Sequence, residues 1–126
     1  MGPRNSYRSI QHETIDKGGV LLLLHDGIIR EVRRARSCID QGKPAALHLL
    51  KAQMGIVELD RTLNFEANPE LADSLHNLYL HMLFTISEVL QSEDRSALQR
   101  IEGLLVELRT AWSQAAVEAR QARRAG

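Results

Sequence analysis

The sequence predicts an all-α protein: an antiparallel up-down four-helix bundle preceded by an N-terminal arm. Three observations predict it. Apolar residues recur at spacings of three and four, and no segment sustains the period-two alternation of a half-buried strand. Proline and glycine fall in short breaks that leave four helical runs with brief connections, which make consecutive helices antiparallel neighbours. The five aromatic residues, Tyr7, Phe65, Tyr79, Phe84 and Trp112, leave the core to aliphatic side chains, as in helical bundles. A chain of 126 residues is the size of one domain and buries enough surface for a core of its own.

Residues 1–15 are polar with scattered apolar positions and read as the arm; residues 16–122 form the bundle, and 123–126 a frayed basic tail. The first helix is expected at about 18–41, after Asp16 and the Gly18-Gly19 pair. It opens with the apolar run Val20 to Leu24, adds Ile28 and Ile29, then turns polar through Arg30, Arg33, Arg34 and Arg36. Gly42 supplies the left-handed cap that ends it, and Pro44 suits the first turn of a second helix at about 44–65. Asn68-Pro69-Glu70 starts the third, at about 69–91. Asn68 is the cap, Pro69 takes the first helical position, and Glu70 favours the positive end of the helix dipole. Asp94 caps the fourth, at about 95–122.

A bundle helix needs one apolar stripe. The fourth helix has one, Leu98, Ile101, Leu105, Leu108, Trp112 and Ala115. The second has two. Leu49, Ala52, Ile56, Leu59 and Leu63 form the longer; Leu47, Leu50, Met54 and Val57 form the other, roughly 160° away at about 100° per residue. Gln53 and Asp60 separate them on one side, His48, Lys51, Glu58 and Thr62 on the other. The longer stripe contains a small residue for close packing and is assigned to the core. On the third helix Leu71, Leu75, Leu78, Met82, Ile86 and Val89 form a line that Leu80, Leu83, Phe84 and Leu90 widen. Two readings of this surplus stay open: wide core faces partly covered by the arm, or a hydrophobic groove that docks a partner segment.

Little in the chain suggests catalysis. The five histidines, His12, His25, His48, His76 and His81, are dispersed, and Asp73-x-x-His76 alone approaches a metal-ligand pair, so they read as solvated surface residues. Cys38 stands alone, which precludes an internal disulfide and fits a packing role in a reducing, cytosolic setting. Nucleophile-elbow and phosphate-loop motifs are absent, so no catalytic residue, cofactor or metal is expected. Sixteen basic residues balance sixteen acidic ones, and stacking aromatics are missing beside Arg30, Arg33, Arg34 and Arg36. That cluster reads as a solvated helix face, not a nucleic-acid site. The N-terminus lacks the apolar core of a secretory signal, and the longest apolar run, Val20 to Leu24, falls far short of the ~20 residues that span a bilayer.

Gly18-Gly19-Val20-Leu21-Leu22-Leu23-Leu24-His25-Asp26-Gly27-Ile28-Ile29 resembles the opening of the flagellar export chaperone FliS family, which typically reads Thr-Ala-Ser-Pro-Gly, a short apolar run, then Leu-Tyr-Asp-Gly and an apolar pair. Leu50-Lys51-Ala52-Gln53 with Ile56-Val57-Glu58-Leu59 and Thr62-Leu63-Asn64-Phe65 is similar to its second helix. Leu78-Tyr79 with Met82 is similar to its third, and Leu104-Leu105 with Leu108-Arg109 and Trp112 to its last; Tyr7 falls at its N-terminal tyrosine. The resemblance spans about residues 7–115 and rests on five blocks in order. Asp16-Lys17-Gly18 departs from Ser-Pro-Gly, and His25 replaces the tyrosine before Asp-Gly.

The resemblance implies a cytosolic chaperone that binds the disordered C-terminal segment of flagellin, prevents premature polymerisation and aids delivery to the flagellar type III export apparatus. It implies an arm, with Tyr7, that covers part of the apolar surface until a client displaces it. The expected client contacts are then Tyr7, Leu22, Ile29, Leu47, Leu50, Met54, Val57, Leu80 and Phe84. Asp26, Gly27, Tyr79 and Trp112 are expected to be structural: helix packing, a tight contact, a polar-tipped aromatic and core filling. Flagellar export gate components are expected as further partners; nucleic acid and membrane insertion are not. The protein is expected to be a monomer or weak homodimer. The competing reading is a self-associating helical scaffold that buries the shorter second-helix stripe in a homodimer.

Overall fold

The structure, a computed structural model, describes residues 17–125. Four helices make up the described residues: α1 (Lys17–Asp40), α2 (Ala46–Arg61), α3 (Pro69–Ser92) and α4 (Arg95–Ala125). α1 packs on α2 and on α4; α3 packs on α2 and, more lightly, on α4, which closes the four-helix ring. The expected arm lies outside the described residues.

The helix boundaries follow the local signals in most places. Gly42 sits at φ 67°, the left-handed conformation that ends α1. The Asn68 side chain accepts from the Leu71 amide at 3.2 Å, with Pro69 beginning the helix. Asp94 Oδ1 accepts from the amides of Ser96 and Ala97 at 3.0 and 3.2 Å and caps α4. Three expectations need correction. Pro44 precedes α2, which begins at Ala46 behind Ala45, and α2 stops at Arg61, not near 65. There the Thr62 hydroxyl donates to the Leu59 carbonyl at 2.6 Å, and Asn64 Oδ1 accepts from the amides of Glu66 and Ala67, which draws the chain into a turn. α4 continues to Ala125, through the segment expected to fray; alanines are strong helix formers, and Arg123 and Arg124 suit the negative end of the dipole.

One apolar core, aliphatic but for Tyr79 among the residues named, fills the ring: Ile28, Val32 and Ala35 from α1; Leu49, Ala52, Ile56 and Leu59 from α2; Tyr79, Met82, Ile86 and Val89 from α3; Leu98, Ile101 and Leu105 from α4. The longer α2 stripe is thus the core stripe. On α3 the line begins at buried Ala72, while Leu71 is exposed. On α4 it shifts at its end from exposed Ala115 to half-buried Ala116.

The tight contact expected at Gly27 lies elsewhere. A Cβ on Gly27 would come no nearer than 3.7 Å to any neighbour, the end of the Arg30 side chain. A Cβ on Gly55 of α2 would collide with Ile28 Cγ1 and lie 3.0 Å from its Cδ1. Gly55 therefore sets how closely α1 and α2 approach. The sequence carried a signal for it, since glycine inside a helix costs about 1 kcal/mol against alanine and needs a packing reason.

Candidate functional site

Polar contacts on both flanks of α2 orient it. On one flank His48 Nδ1 pairs with Glu31 Oε2 of α1 at 2.6 Å. On the other, Gln53 Nε2 donates to the Leu83 carbonyl at 3.1 Å and the Ser87 hydroxyl at 2.9 Å, and His76 Nδ1 pairs with Asp60 Oδ1 at 2.7 Å. Three of the residues that separate the two stripes in sequence, His48, Gln53 and Asp60, thus bond α2 to its neighbours. With the longer stripe inward, the shorter one faces out. Leu47 is 61% exposed, Leu50 48%, Met54 69% and Val57 37%.

The same bonds fix the register of the antiparallel α2–α3 pair. They place Met54 level with Leu83 and Phe84, and Val57 level with Leu80. Leu80 and Phe84 are themselves exposed, Phe84 at 68%. Both follow Leu83 and Ser87 around α3 on its outer side. Leu47, Leu50, Met54, Val57 and Leu80 thus form an exposed apolar strip along the α2–α3 seam, with Phe84 at its outer edge, where it also lines an open hollow between α3 and α4. A strip from Leu47 to Val57 is ~15 Å long, or about three helical turns. Gln53 and Asp60 are tied to α3 beneath it, and the exposed Arg61–Glu58 pair bounds it at the C-terminal end of α2.

Two expected contacts lie on another face. Leu22 and Ile29 fall on the line Leu22–Asp26–Ile29–Arg33 of α1, whose members Asp26 and Arg33 pair with Arg109 and Glu102 of α4. Leu22 is half-buried, and Ile29, at 5% exposure, is a core residue. That corrects the expectation for Ile29: its side chain meets α4 rather than the strip. Tyr7 lies outside the described residues.

The four residues given structural roles divide similarly. Asp26 accepts from Arg109 Nε at 2.6 Å and ties α1 to α4. Tyr79 is buried, and burial with the Asp60 charge pushes its phenol up to about 12, so it stays neutral. Trp112 is half-buried and lines a hollow at the end of the bundle with Leu21, Leu63, Leu71 and Leu75, so it closes that end instead of filling the central core.

His25 departs from the surface reading. It has no exposed area, and its Nδ1 donates to the Leu21 carbonyl at 2.7 Å. Its buried Nε2 has no partner among the described residues. Protonation would put an N–H there with no acceptor among the described residues, and burial lowers the pKa of His25, against the Leu21 bond and the Asp26 charge. Since the folded value lies below the unfolded ~6.5, this stabilisation is whole above ~6.5 and fades as pH falls toward the folded value, by at most about 1.4 kcal/mol per pH unit. A His25→Phe variant is expected to lose that dependence when urea midpoints are compared at several pH values. Glu31, whose pKa is lowered by His48 and Arg34 despite its burial, acts only below ~4.5, so the two effects separate.

The remaining ion pairs link α1 to α4 or join neighbouring turns of one helix. Arg33 and Arg36 both pair with Glu102, at 2.9 and 2.6 Å, and Arg34 with Glu31 at 3.1 Å. Among the described residues there is no cluster of three metal-ligating side chains, and no helix is long and apolar enough to cross a membrane. His76 of the loose Asp73-x-x-His76 pair is joined to Asp60.

Comparison with known proteins gives a concordant result. A family model described as "Flagellar protein FliS" matches residues 1–119. The flagellar secretion chaperone FliS of Bacillus subtilis is 31% identical over 115 residues, which cover 90% of this chain and 85% of that protein. The flagellar secretion chaperone FliSB of Pseudomonas aeruginosa is 30% identical over 95 residues, 74% of this chain and 75% of that protein. The flagellar secretion chaperone FliS of Salmonella typhimurium is 30% identical over 95 residues, 73% of this chain and 70% of that protein.

Proposed function

Because the chain belongs to the flagellar protein FliS family, we propose that it is a flagellar export chaperone that holds the disordered C-terminal segment of flagellin on the α2–α3 strip. The family is one of chaperones, not enzymes. The observation that carries the proposal is the outward face of α2. Leu47, Leu50, Met54 and Val57 stand exposed on a helix whose opposite residues, Leu49, Ala52, Ile56 and Leu59, are buried, and Leu80 and Phe84 extend the same surface on α3. A contiguous apolar surface of this kind marks a partner site. Its length suits about three turns of an amphipathic helix, laid in with anchors at three- and four-residue spacing.

A disordered client loses chain entropy on binding, and the buried apolar contact must offset it. Masking the client's apolar face would keep it from pairing with other flagellin molecules until delivery. In this reading the protein works in the cytosol as a monomer or weak homodimer, export gate components receive the complex, and the arm with Tyr7 is a displaceable cover.

Titration calorimetry of the full chain with a peptide of the C-terminal flagellin segment from the same organism tests it. The expected result is one-to-one binding with a large negative heat-capacity change, the mark of buried apolar surface. Absence of binding by a folded protein would refute the flagellin reading. A concentration-dependent dimer on a sizing column would then favour self-association through the strip.

A further inference from the structure

The opposite edge of the bundle carries a second surface, of different chemistry. Between α1 and α4 runs an open groove of about 670 Å³ whose floor includes Ile29 and Val106. Among the described residues Arg30, Arg33, Arg34 and Arg109 line it, against a single carboxylate, Asp26. With the adjoining Arg36, Glu31 and Glu102, five guanidinium groups face three carboxylates, a local charge of +2 on a chain whose net charge is zero. We propose that this groove docks an acidic amphipathic helix of a second protein, its aliphatic side chains on Val106 and the arginine stems and its carboxylates on the arginine rim.

Three features favour that occupant. A guanidinium has five N–H donors, and the pairs of Arg33 and Arg34 engage only some of them. The side chains of Arg33 and Arg34 remain 57% and 53% exposed, so their free donors face solvent and can take a carboxylate side-on. The existing pairs also hold Arg33 against Glu102 and Arg109 against Asp26, which lowers the entropy lost when a ligand orders them. Finally, the groove follows α1 from Asp26 to Ser37, ~16 Å or about three helical turns. A nucleic acid fits less well. Among the described residues the groove has no aromatic side chain for base stacking, its floor is apolar, and Asp26 and Glu102 would meet phosphates. The groove is distinct from the α2–α3 strip, so both surfaces can be occupied at once, and this inference does not depend on the flagellin reading.

The test is an amide chemical-shift titration of the isotopically labelled full chain. The probe is a synthetic peptide of about four helical turns, glutamates along both edges of a leucine face. Saturable shifts at Ser37, Val106 and Arg109, weakened by added salt, are expected. Arg30→Gln with Arg34→Gln should lower the affinity about tenfold, as should glutamine in place of the peptide's glutamates. This double variant removes no contact between helices among the described residues, since Arg34 pairs with Glu31 on its own helix. Its melting curve should match the parent's, and its binding of the flagellin peptide should be unchanged. Absence of saturable binding, shifts centred on Leu50 and Met54, or tighter binding of a single-stranded RNA to the same groove would each overturn the proposal.

Discussion

Leu50→Gln together with Met54→Gln is expected to weaken binding of the C-terminal flagellin peptide by about 30-fold while leaving the fold intact. The figure follows from two anchors losing about 1 kcal/mol each, a total of about 2 kcal/mol. Both side chains are mainly exposed, at 48% and 69%, so their replacement removes no core packing. Surface substitutions of that kind usually change stability by no more than about 0.5 kcal/mol. Calorimetry on the double variant, with circular dichroism as the check on folding, reads both quantities. Unchanged binding would remove the strip from the client contact. Loss of helicity would mean that α2 presents the opposite face to the core.

The second large effect separates adjacent residues of the same helix. Ile56→Ala is expected to cost about 2–5 kcal/mol, because it removes apolar volume from a site with no solvent access and leaves a cavity in the core. That is a large share of the ~5–15 kcal/mol by which domains of this kind are stable. Val57→Ala, one position on, should stay within about 0.5 kcal/mol, since Val57 lies on the outer face and alanine is the better helix former. Urea unfolding measures both: the Ile56→Ala midpoint falls sharply at nearly constant slope. Equal costs at the two positions would contradict the orientation of α2.

Much of the bundle was legible because its signals are local. The φ of Gly42, the Asn68 side chain on the Leu71 amide and the Asp94 caps each depend on a few consecutive residues. The α2 boundaries were less so. Pro44 permits a helix start without requiring one, and the stop at Arg61 depends on Thr62 and Asn64 side chains that compete with the helix for backbone groups. The strip was half legible. Periodicity showed two stripes on α2, and the six strip residues were named, but nothing local showed that Leu80 and Phe84 lie level with Val57 and Met54.

The sequence by itself determined that this protein is helical, where its helices begin in most cases, which side chains share a helix face, and which family it resembles. Helical phase and end-capping involve groups within about four residues of one another, so the order of residues suffices. Only the tertiary structure decided the rest. It buried His25 with no partner for Nε2 among the described residues, sent Ile29 toward α4, seated Gly55 on Ile28, and separated the apolar strip from the arginine groove. Each of these is a relation between helices. Residues on one helical line have the same phase whether a neighbour or solvent lies beyond them, and the neighbour alone determines which.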